Sequence, residues 1–120
     1  MRKPEAAEQK AQAAAEHWLV HMDAGDSNAA WTDASSTFRA AVTRSQWAES
    51  VGRVQGSLGR PVTRSLAVAE YKSELPGAPD GHYVILTYTT RFEHKANGTE
   101  TVVPELDEDG EWRVSGYFVK

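Results

Sequence analysis

The chain contains no cysteine. Disulfides, thiolate metal sites and cysteine nucleophiles are therefore excluded, and the redox compartment is left undetermined. No apolar run approaches the roughly 18 residues a membrane-crossing helix needs, so no membrane insertion is expected. The opening Met1-Arg2-Lys3-Pro4-Glu5 runs into polar, alanine-rich sequence rather than the apolar core of a signal peptide; if a leader once preceded this segment, it has been removed. Positive charge is scarce: 13 basic residues face 17 acidic ones, a formal net charge of −4. The basic residues do not cluster. Arg44, Arg53, Arg60 and Arg64 spread along one helical stretch and its exit, as on a solvated face, so nucleic acid is not an expected partner.

What is present is ordinary globular material, 40% apolar and 25% charged over 120 residues, enough for one core and one domain spanning residues 1–120. From about 4 to 24, an early proline precedes a run rich in alanine, glutamate and glutamine, with Ala7, Ala11, Ala14, Trp18 and Met22 at helical spacing. Gly25 can end that helix. Asp26 or Ser27 then caps a short second one over about 27–34, carrying Ala30, Trp31 and Ala34. Thr43-Arg44-Ser45-Gln46 has the form of a capping box, with Val42 placed to staple onto Trp47. It starts a third helix over about 43–58, which Gly59 and Pro61 end.

Beyond Pro61 the period changes from 3.6 to two. Strands are expected over about 62–75, 82–95, 99–106 and 111–119, the last three turning at Asn97-Gly98 and Asp109-Gly110. Pro104 removes a ladder donor from the third strand and marks an edge or a bulge there. The fold class is α+β, helices packed across a four-stranded antiparallel sheet. Strict alternation places Leu66, Val68, Val84, Leu86, Phe92, Val102, Leu106, Trp112, Val114 and Phe118 toward the helices. The opposite face receives Tyr71, Tyr83, Ile85 and Tyr117 among threonines and arginines, more apolar than a freely solvated face requires. Those four are the candidate surface for a protein partner or a homodimer.

A possible pocket between helices and sheet would be walled by Trp31, Trp47, Tyr88 and Trp112. Glu70 and Glu100 fall in phase with core positions and would give it polar groups. No triad spacing, nucleotide loop or catalytic motif accompanies them, so no catalytic residue and no cofactor is assigned. His17 and His21 stand four apart, the spacing at which two imidazoles can share a metal. Without a His-Glu-x-x-His pattern or a third ligand in view, no metal is assigned either. His82 and His94 flank a strand, and Asn97-Gly98-Thr99 is accounted for by its turn rather than as a glycosylation acceptor.

Several segments together resemble a bacterial family: Trp31, Phe38-Arg39-Ala40-Ala41-Val42 running to Gln46-Trp47, Leu58-Gly59, Leu75-Pro76-Gly77-Ala78-Pro79-Asp80-Gly81 and Trp112-Arg113-Val114-Ser115-Gly116-Tyr117. The chain is similar over about residues 10–120 to the domain of unknown function 4019. That resemblance implies a cone-shaped, cystatin-like or nuclear-transport-factor-two-like arrangement. It also implies export to the periplasm, a cytoplasmic location being the alternative. Folds of this shape serve binding and catalysis alike. The leading expectation is a non-catalytic binding domain for a protein partner, of inhibitor or immunity type. A small-molecule carrier or sensor using the helix-sheet cavity is the alternative, and an isomerase- or hydrolase-like enzyme a second one.

Overall fold

The computed structural model describes residues 3–120, with side chains from Ala6 onward. Four helices precede four strands: α1 (Lys3–Asp23), α2 (Ser27–Thr32), α3 (Ser36–Ala41), α4 (Arg44–Leu58), β1 (Pro61–Lys72), β2 (Tyr83–Phe92), β3 (Lys95–Leu106) and β4 (Trp112–Val119). The strands form an antiparallel meander in the order β1-β2-β3-β4. α3 is an element the periodicity does not reveal, one turn capped by the Ser35 hydroxyl, which accepts from the Phe38 amide.

α1 buries Ala11, Ala15, Trp18, Leu19 and Met22. This i, i+4, i+7, i+8, i+11 stripe meets Val84, Leu86 and Tyr88 of β2, Val102 of β3 and Val114 of β4 in one core. Small alanines let the helix lie close to the sheet while Trp18 fills the space beyond them, its indole nitrogen donating to the Ala30 carbonyl at 2.8 Å. At the end of α1 the Asp26 amide donates to the His21 carbonyl and the Gly25 amide to that of Met22, with Gly25 at φ 74°. This is a Schellman closure, which a side chain at position 25 would strain. The capping box at Thr43 forms in full, Gln46 reaching back to the Thr43 amide.

The turn between β2 and β3 departs from the sequence expectation. Asn97-Gly98 lies inside β3, and the reversal takes place at Glu93-His94 between Phe92 and Lys95. Gly98 is required for another reason: a β-carbon there would come within 2.8 Å of the Phe92 ring. The glycine serves close approach, not turn geometry.

Besides register shifts between Pro61 and Thr63 and between Thr90 and Phe92, the ladder is irregular at two places that reassign the expected faces. Leu66 pairs with Tyr88 but Val68 with Thr87, so Ala67 is an extra residue in β1. Beyond this bulge Ala69 and Tyr71 turn to the helices while Val68 and Glu70 turn away. In β4, Val114 pairs with Pro104 but Gly116 with Val103, which makes Ser115 the extra residue. Tyr117 consequently faces Trp18, ring centroids 5.6 Å apart, and Phe118 points outward. The outward placement of Tyr71 and Tyr117, and the inward placement of Val68, Glu70 and Phe118, are thus corrected.

Candidate functional site

The polar centre between helices and sheet is an ion pair, beside a cleft of about 260 Å³ that Glu16, Asp23, Arg64 and Tyr88 help to line. Glu100 on β3 is 1% exposed. Arg64 on β1 donates to it from Nε to Oε1 at 2.7 Å and from Nη2 to Oε2 at 3.2 Å. The same guanidinium holds both carboxylate oxygens of Asp23, at 2.8 and 3.0 Å, near the end of α1. Thr90 donates its hydroxyl to Glu100 Oε1 at 2.6 Å, and the Tyr117 hydroxyl donates to Oε2. Burial by itself works against the Arg64 charge, yet the bonds it donates to Asp23 and Glu100 hold it above the ordinary arginine range. Burial first, and then the Glu100 charge, push the Tyr117 hydroxyl well above the ordinary tyrosine range. Arg64 is therefore not on a solvated face. It stands two residues before Leu66 in regular register and so shares that residue's inward face.

Tyr88 is buried with its hydroxyl lacking a hydrogen-bond partner. Burial, reinforced by the charge of Glu16, pushes it up to about 12. Trp47 packs between Trp18 and Phe38 at 6.0 and 5.1 Å between centroids, and its indole nitrogen is also buried without a partner. Trp31 donates to the Val42 carbonyl at 2.7 Å and carries the Arg44 guanidinium 4.8 Å from its ring. Glu70 lies on the outer face, paired with Lys72 at 3.2 Å. The five residues expected to wall one pocket therefore do not share one. Trp112 instead meets Tyr71 in a cleft of about 540 Å³ beside the first turns of α1, lined also by Ala6, Ala7, Lys10, His82, Leu106 and Gly110.

The outer sheet face has its own order. One cross-strand row runs Val68, Thr87, Thr101, Phe118, from one edge of the sheet to the other. Its two ends are large apolar residues left in water, Val68 at 51% and Phe118 at 63%, and Val62 near the start of β1 matches Val68 at 51%. Phe118 lies over Gly116, where an added β-carbon would stand 3.4 Å from the ring. Next to that row lie Ile85 and Val103, both partly or wholly covered. Tyr83 shares this face but is 3% exposed, because the 73–82 loop folds over it and Pro79 accepts its hydroxyl at 2.6 Å. Of the four residues expected on this surface, Ile85 alone offers partial access there.

The chain matches over residues 14–117 the model of a family described as "Protein of unknown function (DUF4019)". The chain belongs to that family. No curated protein and no solved structure matches this DUF4019 domain. No helix among its described residues is long and apolar enough to cross a membrane.

Proposed function

We propose that this DUF4019 domain is a non-catalytic binding module that recognises a protein partner, or a second copy of itself, through the outer face of its sheet. The observation that carries this reading is the Val68-Thr87-Thr101-Phe118 row, which holds two large apolar side chains in water at no evident benefit to the isolated fold. Covering them would release apolar surface at about 25 cal/mol per Å², and the threonines between them present a flat, β-branched surface that adapts to a facing sheet or helix. Reading the buried carboxylate as structural supports the non-catalytic half: Glu100 is occupied by Arg64, Thr90 and Tyr117 and is not free to meet a substrate.

The finer reading follows the family. The helices crossing a sheet bent by bulges at Ala67 and Ser115 fit a cone of the cystatin-like or nuclear-transport-factor-two-like kind. An acidic module of this kind suits an inhibitor or immunity role, in which it covers a basic site on its partner, and we place it in an exported, periplasmic setting in bacteria. The test is sedimentation and affinity capture from the source cell with wild type, Phe118→Glu and Val68→Glu. Self-association or a captured protein lost in both variants, with circular dichroism unchanged, supports the face. Binding indifferent to both variants removes it.

A second reading rests on a separate observation. The cleft of about 540 Å³ beside Tyr71 and Trp112 has the size of small-ligand sites, and its walls are mainly apolar. A carrier or sensor would bind an apolar compound there, and Tyr71→Ala would abolish that binding while leaving the Phe118 face intact.

A further inference from the structure

His17 and His21 stand four apart on α1, and the fold brings a third donor to them. Asp33, the residue that closes α2, places Oδ2 2.7 Å from His21 Nε2 and 3.5 Å from His17 Nε2. The three ligand atoms all lie within 4.8 Å of one another. The imidazoles meet edge to face with centroids 5.2 Å apart, so both Nε2 atoms converge on the same carboxylate oxygen rather than pointing along the helix. We propose that His17, His21 and Asp33 form a site for a divalent transition-metal ion of the zinc type, bound through His17 Nε2, His21 Nε2 and Asp33 Oδ2.

The geometry is close to what such an ion needs. Tetrahedral zinc with bonds of about 2.0–2.1 Å holds its ligand atoms roughly 3.3 Å apart. The His17–Asp33 separation already lies there, the His21–Asp33 pair has to open by about 0.6 Å, and the imidazoles have to close slightly. All three side chains are partly or largely exposed, so these are small rotations and no backbone has to move. Two imidazoles and one carboxylate form a mixed nitrogen-oxygen set suited to zinc, copper(II) or nickel(II) rather than to calcium or magnesium. Metal binding requires His21 Nε2 to carry no hydrogen, so the one it directs at Asp33 is given up and the neutral metallated ring has its single N–H at Nδ1.

His17 and Asp33 also line a cleft of about 560 Å³ that runs beneath Glu111, Trp112 and Arg113, with Lys10 at its side. A fourth coordination position would face that cleft, the arrangement of a site with three protein ligands and one open position. The charged groups facing the ion are then Lys10 on α1, Asp33 itself, and Glu111 and Arg113 at the start of β4.

Tag-free full-length protein titrated with zinc chloride by calorimetry at neutral pH is expected to bind one ion with a dissociation constant of about 1–10 µM. Cobalt(II) in its place should give the visible absorption of a low-symmetry site. His17→Ala, His21→Ala and Asp33→Asn should each weaken zinc at least 10-fold, in line with the roughly 10–100-fold that losing even an outer-shell partner costs. His94→Ala, on a remote turn, should leave binding unchanged. Zinc weaker than about 1 mM in wild type, or binding unaltered in Asp33→Asn, overturns the proposal. His17 is exposed, so His17→Ala keeps the test decisive if either other variant fails to fold.

Discussion

Arg64 on β1 and Glu100 on β3 meet across the full width of β2, Nε to Oε1 at 2.7 Å, beneath the helices. Two strands that do not pair with each other are thereby joined, and Asp23 ties the end of α1 to the same guanidinium.

The first prediction concerns that pair. Arg64→Met removes one partner and leaves the Glu100 carboxylate buried with only hydroxyl donors, at a cost of about 3–5 kcal/mol. Arg64→Met combined with Glu100→Leu should recover more than half of that loss, because no unpaired charge remains inside. Urea denaturation of the two single variants and the double variant measures the coupling. Additive losses would show that the charges act independently.

The second concerns acid stability. Arg113 donates to Asp109 at 2.8 and 2.9 Å, and these bonds, with the Glu111 amide behind them, bring the Asp109 carboxyl down to about 2 from a usual value of 3.8. Burial alone would raise Asp107, but the hydroxyl and amide of Ser36 hold it below its ordinary value. Both folded pKa values are depressed. Their contribution to stability is therefore complete above the unfolded carboxylate value near 4 and fades as pH falls from there toward about 2. Melting temperature measured from pH 6 to pH 2 should fall below pH 4, and Arg113→Gln should flatten that fall. An unchanged slope in the variant would assign the acid sensitivity to other carboxylates.

The third concerns the β1 bulge. Deleting Ala67 makes Leu66–Tyr88 and Val68–Thr87 successive pairs, so Ala69 and Tyr71 keep the helix face while Val68 and Glu70 stay outward. A change below about 2 kcal/mol is expected, with the Tyr71 ring still covered. Val68→Thr, at an outer position, should change stability by less than about 1 kcal/mol. Exposure of the Tyr71 ring in the deletion variant would mean that Ala67 is not the extra residue.

The candidate surfaces were partly legible. The histidine spacing on α1 is visible in the chain, but Asp33 lies 12 residues beyond His21 and joins it only because the Gly25 corner folds α2 back along α1. Likewise an apolar outer face follows from the excess of apolar strand residues, yet the side chains that present it, Val68 and Phe118, are ones simple alternation assigns to the core.

Sequence by itself determined the helix-then-strand order, the stop at Gly25, the capping box at Thr43 and the inward set Val84, Leu86 and Val102. Each depends on chemistry within a few residues: a positive φ, a hydroxyl three positions from an amide, an uninterrupted period of two. Tertiary structure alone decided the faces of Tyr71, Tyr117 and Phe118, the pairing of Arg64 with Glu100 and the meeting of Asp33 with two histidines. A single extra residue in a strand inverts every side chain after it, and where that residue is placed depends on the partner strand and the helix above it.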